Sequence, residues 1–125
     1  LRRQALNRIG VLPVLLGVLL ALVLTGPGAA GAAEVYQVRG GRLLQVGDGN
    51  RSYPVQLACL EVRPEREDQA TAWLRRELPR RTRVNLRPMG ESGGALLARV
   101  SRLSDGADMA GGLIDAGLAL AEPCP

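Results

Sequence analysis

Residues 56–65 read Gln56-Leu57-Ala58-Cys59-Leu60-Glu61-Val62-Arg63-Pro64-Glu65. Four apolar or small residues in succession mark a buried strand. Pro64 then presets the dihedral of a first helical residue, and Glu65 follows it into the first turn. The stretch is therefore a strand that runs directly into a helix. It also sets two carboxylates, Glu61 and Glu65, four positions apart, with Gln56, a neutral amide, at the head of the strand.

Working outward, short strands come before this stretch. Residues 35–38 and 43–46 flank Gly40-Gly41, a two-residue hairpin signal, and Asp48-Gly49-Asn50 turns the chain into a third strand over 53–60. After Pro64 the helix carries Glu65, Glu67 and Asp68 in its first turn and Arg75 and Arg76 in its last, as the helix dipole favours. Ala70, Trp73, Leu74 and Leu78 form its apolar face, and Pro79 ends it. Residues 83–87 alternate, with Val84 and Leu86 on one face and Arg83, Asn85 and Arg87 on the other, which predicts a half-buried strand. A loop over 89–94 and a strand over 96–103 follow. Asp105-Gly106 leads into a second helix from about Ala107, with Met109, Leu113 and Ile114 inward and Gly117 at its end. This order predicts a mixed α+β, mainly β domain whose five strands curl into a barrel with two to three helices.

The first third of the chain has a different character. Arg2, Arg3 and Arg8 precede an apolar run at 9–24, and small residues with Pro27 follow, the order of an export signal. Ala30 and Ala32 supply an Ala-x-Ala pattern, so cleavage is expected after Ala32 or Ala33. The apolar run, 16 residues long, is short of the roughly 20 that a spanning helix needs. Residues 1–33 are thus expected to be a signal peptide or, as the alternative, a retained membrane anchor acting through residues 9–24. Residues 34–125 form the domain, exported to a periplasmic, lumenal or secreted location. Three of the sixteen arginines fall in the leader, which leaves thirteen against twelve acids and a net charge of only +1 for the domain. A strongly basic nucleic-acid binder is not what that balance describes. The chain has no lysine and no histidine, so every cation is a guanidinium, and the commonest neutral-pH base and transition-metal ligand is absent. Cys59 and Cys124 are either a disulfide closing a loop of about 65 residues or two unrelated thiols; export to an oxidising compartment favours the bridge.

In order and spacing these residues resemble the staphylococcal nuclease-like, or thermonuclease, family. Val38-Arg39-Gly40-Gly41-Arg42-Leu43-Leu44-Gln45-Val46 is similar to its Val-x-Asp-Gly-Asp-Thr-hydrophobic-x-hydrophobic segment. Residues 56–65 resemble its Arg-Leu-x-x-hydrophobic-Asp-x-Pro-Glu segment with one extra residue, most simply Arg63. Residues 91–100 resemble Asp-x-Tyr-Gly-Arg-x-Leu-Ala-x-Val, and 113–119 its closing helix and Gly-Leu-Ala. The resemblance covers residues 35–121. It implies an OB-type barrel and, in active members, calcium-dependent cleavage of DNA and RNA. That chemistry needs oxygen ligands for the cation, a carboxylate for the attacking water and guanidiniums on the phosphoryl oxygens.

Carried over residue by residue, much of that equipment is missing. The first metal-binding aspartate is Arg42 and the aspartate before it is Gly40. The second ligand is Glu61, and the general base is retained as Glu65, so the resemblance offers these two glutamates as a relic metal pair; a first-turn place in the helix is the better account of Glu65. The two phosphate-clamping arginines become Gln56 and Ala95. The resemblance therefore implies a degenerate member, without catalysis and without a cofactor, in which Arg42 fills the cation position and pairs with Glu61. Its expected role is that of a binding or structural module for a protein partner or an anionic ligand. The rival expectation is a residual calcium-dependent nuclease with Arg42, Arg63 or Arg99 as displaced phosphate clamps. Arg75, Arg76, Arg80, Arg81, Arg83 and Arg87 form the densest basic stretch, either a solvated face or a track for nucleic acid, with only Tyr36 and Tyr53 to stack on bases.

Overall fold

The computed structural model describes residues 32–125. The leader expected at 1–33 and the anchor at 9–24 lie almost wholly outside the described residues. Among those that are described, no helix is long and apolar enough to cross a membrane.

Five strands close into an OB-like barrel. They are β1 (Ala32–Val38), β2 (Leu43–Asp48), β3 (Arg51–Leu57), β5 (Arg83–Ser92) and β6 (Ala95–Arg102), in the spatial order β1-β2-β3-β6-β5. β1 returns to pair with β5, so the barrel has no open edge. Only β3 and β6 run parallel. The connection between β3 and β5 carries β4 (Leu60–Glu61), a 3₁₀ turn (Pro64–Arg66) and helix α1 (Glu67–Glu77). After β6 come α2 (Met109–Asp115) and β7 (Leu120–Ala121), which pairs with β4 outside the barrel.

Alternation accounts for the inward face. Leu44 and Val46 of β2, Val55 and Leu57 of β3, and Ala98 and Val100 of β6 are buried at every second position. β1 departs from that period, because its register slips between Val35 and Gln37 and the bulge at Tyr36 lets Val35 and Val38 both point inward. Ala70 and Leu74 of α1, Leu78 just after it, and Met109, Ala110 and Leu113 of α2 cover the barrel and join the same core. The closed barrel and its core fall within residues 32–119, so this segment has what a folding unit requires.

Several boundaries differ from those expected. The strand predicted over 53–60 breaks at Cys59, whose φ of 69° is a left-handed conformation that a strand does not tolerate. The α-helix begins at Glu67, because Pro64 opens a 3₁₀ turn first. The turn around Gly40-Gly41 is wider than two residues: β1 ends at Val38, β2 starts at Leu43, and the Arg39 and Gly40 N–H groups both donate to the Leu43 carbonyl, at 2.8 and 3.2 Å. The segment expected to be a loop over 89–94 is mostly strand. Pro88 stands opposite Ala98 and Gly90 opposite Leu97, so Met89 is the extra residue of a bulge that accommodates the proline within β5.

Candidate functional site

The β1–β2 turn meets the start of α1 through one carboxylate. The Gly41 N–H donates to Glu67 Oε2 at 2.6 Å, and the Thr71 hydroxyl lies 3.4 Å from the same oxygen. The approach is close enough to demand glycine: a Cβ on Gly41 would stand 2.7 Å from Glu67 Oε1 and 3.1 Å from the Ala70 Cβ. Local pattern assigns Glu67 only to the helix dipole. Its partner is 26 positions away, beyond the reach of any periodicity.

Arg42 sits in the same turn, half-buried, and is engaged twice. Its carbonyl accepts from the Leu57 N–H at 2.9 Å, and its Nη1 donates to the Leu60 carbonyl at 2.6 Å. One arginine therefore bonds the chain on both sides of the break at Ala58-Cys59. The expected pairing with the Glu61 carboxylate is not among the ion pairs of the described residues, although the guanidinium is held one residue away from it.

Glu61, in β4 opposite Leu120, and Glu65, in the 3₁₀ turn, are both exposed. They line one concavity of about 280 Å³ together with Arg63, Arg66 and residues 117–120. Two carboxylates and two guanidiniums thus share it. Among the described residues no three acidic, histidine or cysteine side chains converge as a metal-binding group. Gln56 lies on β3 between Leu43 and Leu97, and Ala95 is a buried residue at the start of β6. Neither brings a charge to this end of the barrel.

The three arginines considered as displaced clamps are dispersed. Arg63 is with the glutamates, Arg42 is bonded to Leu60, and Arg99 is on the outer face of β6 opposite Arg87. Arg99 Nη2 pairs with Asp108 at 2.9 Å, and Asp108 also accepts from the Gly111 N–H at 2.8 Å as the N-cap of α2. An aspartate immediately before an apolar helical run is the sequence signal for that cap. Arg102 Nη1 donates to the Glu77 carbonyl at 2.8 Å and to its carboxylate at 3.0 Å, while Nε and Nη2 grip Asp105 at 3.0 and 2.9 Å. These bonds from Arg102, followed by the Ala107 N–H, hold the Asp105 carboxyl down at about 2.

The basic stretch is exposed throughout but not all free. Arg75 Nη2 reaches the Val38 carbonyl at 3.3 Å, and Arg81 pairs with Glu34 at 3.3 Å. Arg76, Arg80, Arg83 and Arg87 form no ion pair among the described residues. Tyr36 lies over Gly47, where any Cβ would collide with its ring, and shares a concavity of about 400 Å³ with Glu34, Arg81 and Arg83. Tyr53 is half-buried, and burial, then the Asp48 charge, push its phenol above the usual value. Neither tyrosine lines the concavity of Glu61 and Glu65.

The small sheet is tied down covalently. Cys59 and Cys124 form a disulfide across 65 positions with their Cα atoms 4.6 Å apart, and the Glu122 N–H donates to the Cys59 carbonyl at 3.0 Å. No protein-family model matches this chain, and no curated protein matches it.

Proposed function

We propose that the chain is an exported barrel of the thermonuclease type that has lost phosphodiesterase chemistry and serves as a binding module, with its arginine-rich face as the surface for a protein partner or an anionic ligand. The observation that carries this is the Arg42 guanidinium bonded to the Leu60 carbonyl at 2.6 Å, beside Glu61, where an active member of that family would need an anionic ligand. Calcium takes six to eight oxygen ligands, and a site of two carboxylates flanked by Arg63 and Arg66 does not suit it. With Gln56 and Ala95 in the clamp positions, no guanidinium from those places meets the charge that builds on a phosphoryl group.

Calcium-dependent digestion of single-stranded DNA by the 33–125 fragment tests this reading. The expected result is no hydrolysis above that of a Glu65→Gln control. Activity that the control abolishes would establish the rival, a residual nuclease. One observation favours that rival: Arg63, the residue extra to the family pattern, shares the concavity with both glutamates and is the displaced clamp it would use. Mass spectrometry of the native N-terminus distinguishes a cleaved leader from a retained anchor and an accessory role at a membrane.

A further inference from the structure

Arg80, Arg81, Arg83 and Arg87 are exposed on the turn before β5 and along that strand. Alternate residues of a strand share a face, so Arg83, Asn85 and Arg87 stand in a row on the outside of the barrel. Across the ladder Ser101 is opposite Asn85 and Arg99 opposite Arg87, which widens the row into a patch. Two carboxylates face it, and each is taken: Glu34 by Arg81 and Asp108 by Arg99. Arg80, Arg83 and Arg87 remain without an ion pair among the described residues. Arg87, Asn85 and Ser101 also line a concavity of about 290 Å³, which they share with the Arg99–Asp108 pair.

The first described strand begins beside this patch. β1 is antiparallel to β5, with Ala32 opposite Asn85 and Glu34 opposite Arg83, so the chain joins the barrel between Arg83 and Arg87. Seven residues, 25–31, separate Ala32 from the apolar stretch at 9–24, and seven residues span at most about 25 Å. Three arginines with no acid come before that stretch, as at the inner side of a membrane-inserted segment.

We propose that the outer face of β5 docks on an anionic lipid surface, with Arg80, Arg83 and Arg87 on the phosphodiester headgroups and Asn85 and Ser101 as neutral hydrogen-bonding partners. A guanidinium presents paired donors that match phosphate oxygens. Each cation near an anionic membrane strengthens attachment about fivefold. The inference rests on the alternative in which the leader is retained as an anchor, and it deepens the binding-module reading by naming the partner. Its failure would leave that reading standing, whereas calcium-dependent hydrolysis would remove the reading without touching the lipid result.

The test places the full chain in vesicles of phosphatidylcholine alone or with about 30 % phosphatidylglycerol and follows modification of individual arginines by an arginine-selective reagent. Arg83 and Arg87 are expected to react about fivefold more slowly in the anionic vesicles, and Arg51, exposed at the start of β3, at an unchanged rate. The protection should vanish in about 300 mM salt, where the Debye length falls well below 10 Å. In a second measurement the 32–125 fragment, which contains the barrel, its core and the disulfide, is sedimented with the same vesicles. An Arg83→Gln/Arg87→Gln variant is expected to bind anionic vesicles at least about tenfold more weakly. Equal reactivity in both vesicles overturns the proposal, as does unchanged sedimentation of a folded variant. Protection of Arg83 and Arg87 by single-stranded DNA but not by phosphatidylglycerol also overturns it and assigns the face to nucleic acid.

Discussion

At the scale of single residues, the charged side chains around the β1–β2 turn act on backbone groups rather than on one another. Glu67 accepts the Gly41 N–H, and Arg42 donates to the Leu60 carbonyl, so a carboxylate and a guanidinium each satisfy a backbone atom in a tightly folded turn. A buried N–H deprived of its acceptor costs more than the bond itself contributes, because nothing replaces the lost hydration. Gly41 is buried, and Glu67→Ala would leave its N–H in that condition. The expected loss is about 1–3 kcal/mol of unfolding free energy, read from urea denaturation at neutral pH. A change well below 1 kcal/mol would mean that water reaches the turn. The Glu61–Arg42 pairing expected from sequence is absent among the described residues: the guanidinium donates to the Leu60 carbonyl, and the Glu61 carboxylate is exposed to water.

At the scale of elements, Arg102 joins the end of β6 to the C-terminus of α1 and to the turn that opens toward α2. Its grip is what lowers the Asp105 carboxyl from an ordinary 3.8 to about 2. A depressed carboxyl contributes stability that is complete above its unfolded value and is lost as pH falls toward the folded one. The Asp105 contribution is therefore expected to be whole at pH 6, to decline below about pH 4, and to be gone near pH 2. The comparison is with Asp105→Asn: the difference in Tm between the two proteins should close as pH falls from 4 to 2. A difference that stays constant over that range would show that Asp105 does not titrate with folding. Element boundaries teach a related point. Alternation ends at Arg87 and predicts a loop over 89–94, yet β5 passes through Pro88, which has no N–H for the ladder, by placing Met89 in a bulge. Proline signals that one hydrogen bond is missing; whether the strand stops or bulges depends on what lies across the ladder.

At the scale of the whole molecule, the five barrel strands pair with one another, whereas β4 and β7 form a separate two-stranded sheet outside them. These pieces hold one another through the β4–β7 pair and the Cys59–Cys124 disulfide. In the chain-entropy treatment a loop of 65 residues contributes about 4 kcal/mol, a large share of what a small domain has. The double variant Cys59→Ser/Cys124→Ser is expected to unfold at lower denaturant by up to that amount, and reduction of the native protein should produce the same shift. Equal midpoints for oxidised and reduced protein would refute the assignment. The nuclease and vesicle experiments belong to this scale too, since both depend on which side of the barrel meets a partner.

Much of the fold is legible in the residues themselves. Alternating Leu44 and Val46, Val55 and Leu57, and Val84 set the inward faces; Asp48-Gly49-Asn50 and Gly117 set turns; the acidic start and basic end of α1 set its direction. These are local rules, and they suffice for the number of barrel strands, the two helices and the core. The candidate site was legible only as far as its glutamates, because Glu61, Arg63 and Glu65 are neighbours in the chain and stay neighbours in space. The Cys59–Cys124 bridge was legible because the chain has only two cysteines, but the partners of Arg42, Glu67 and Arg99 lie 18, 26 and 9 positions away, and no periodicity carries that information. Barrel closure decides it, by bringing turns from distant parts of the chain within bonding distance, where whichever backbone carbonyl, amide or carboxylate most needs a partner takes the charge.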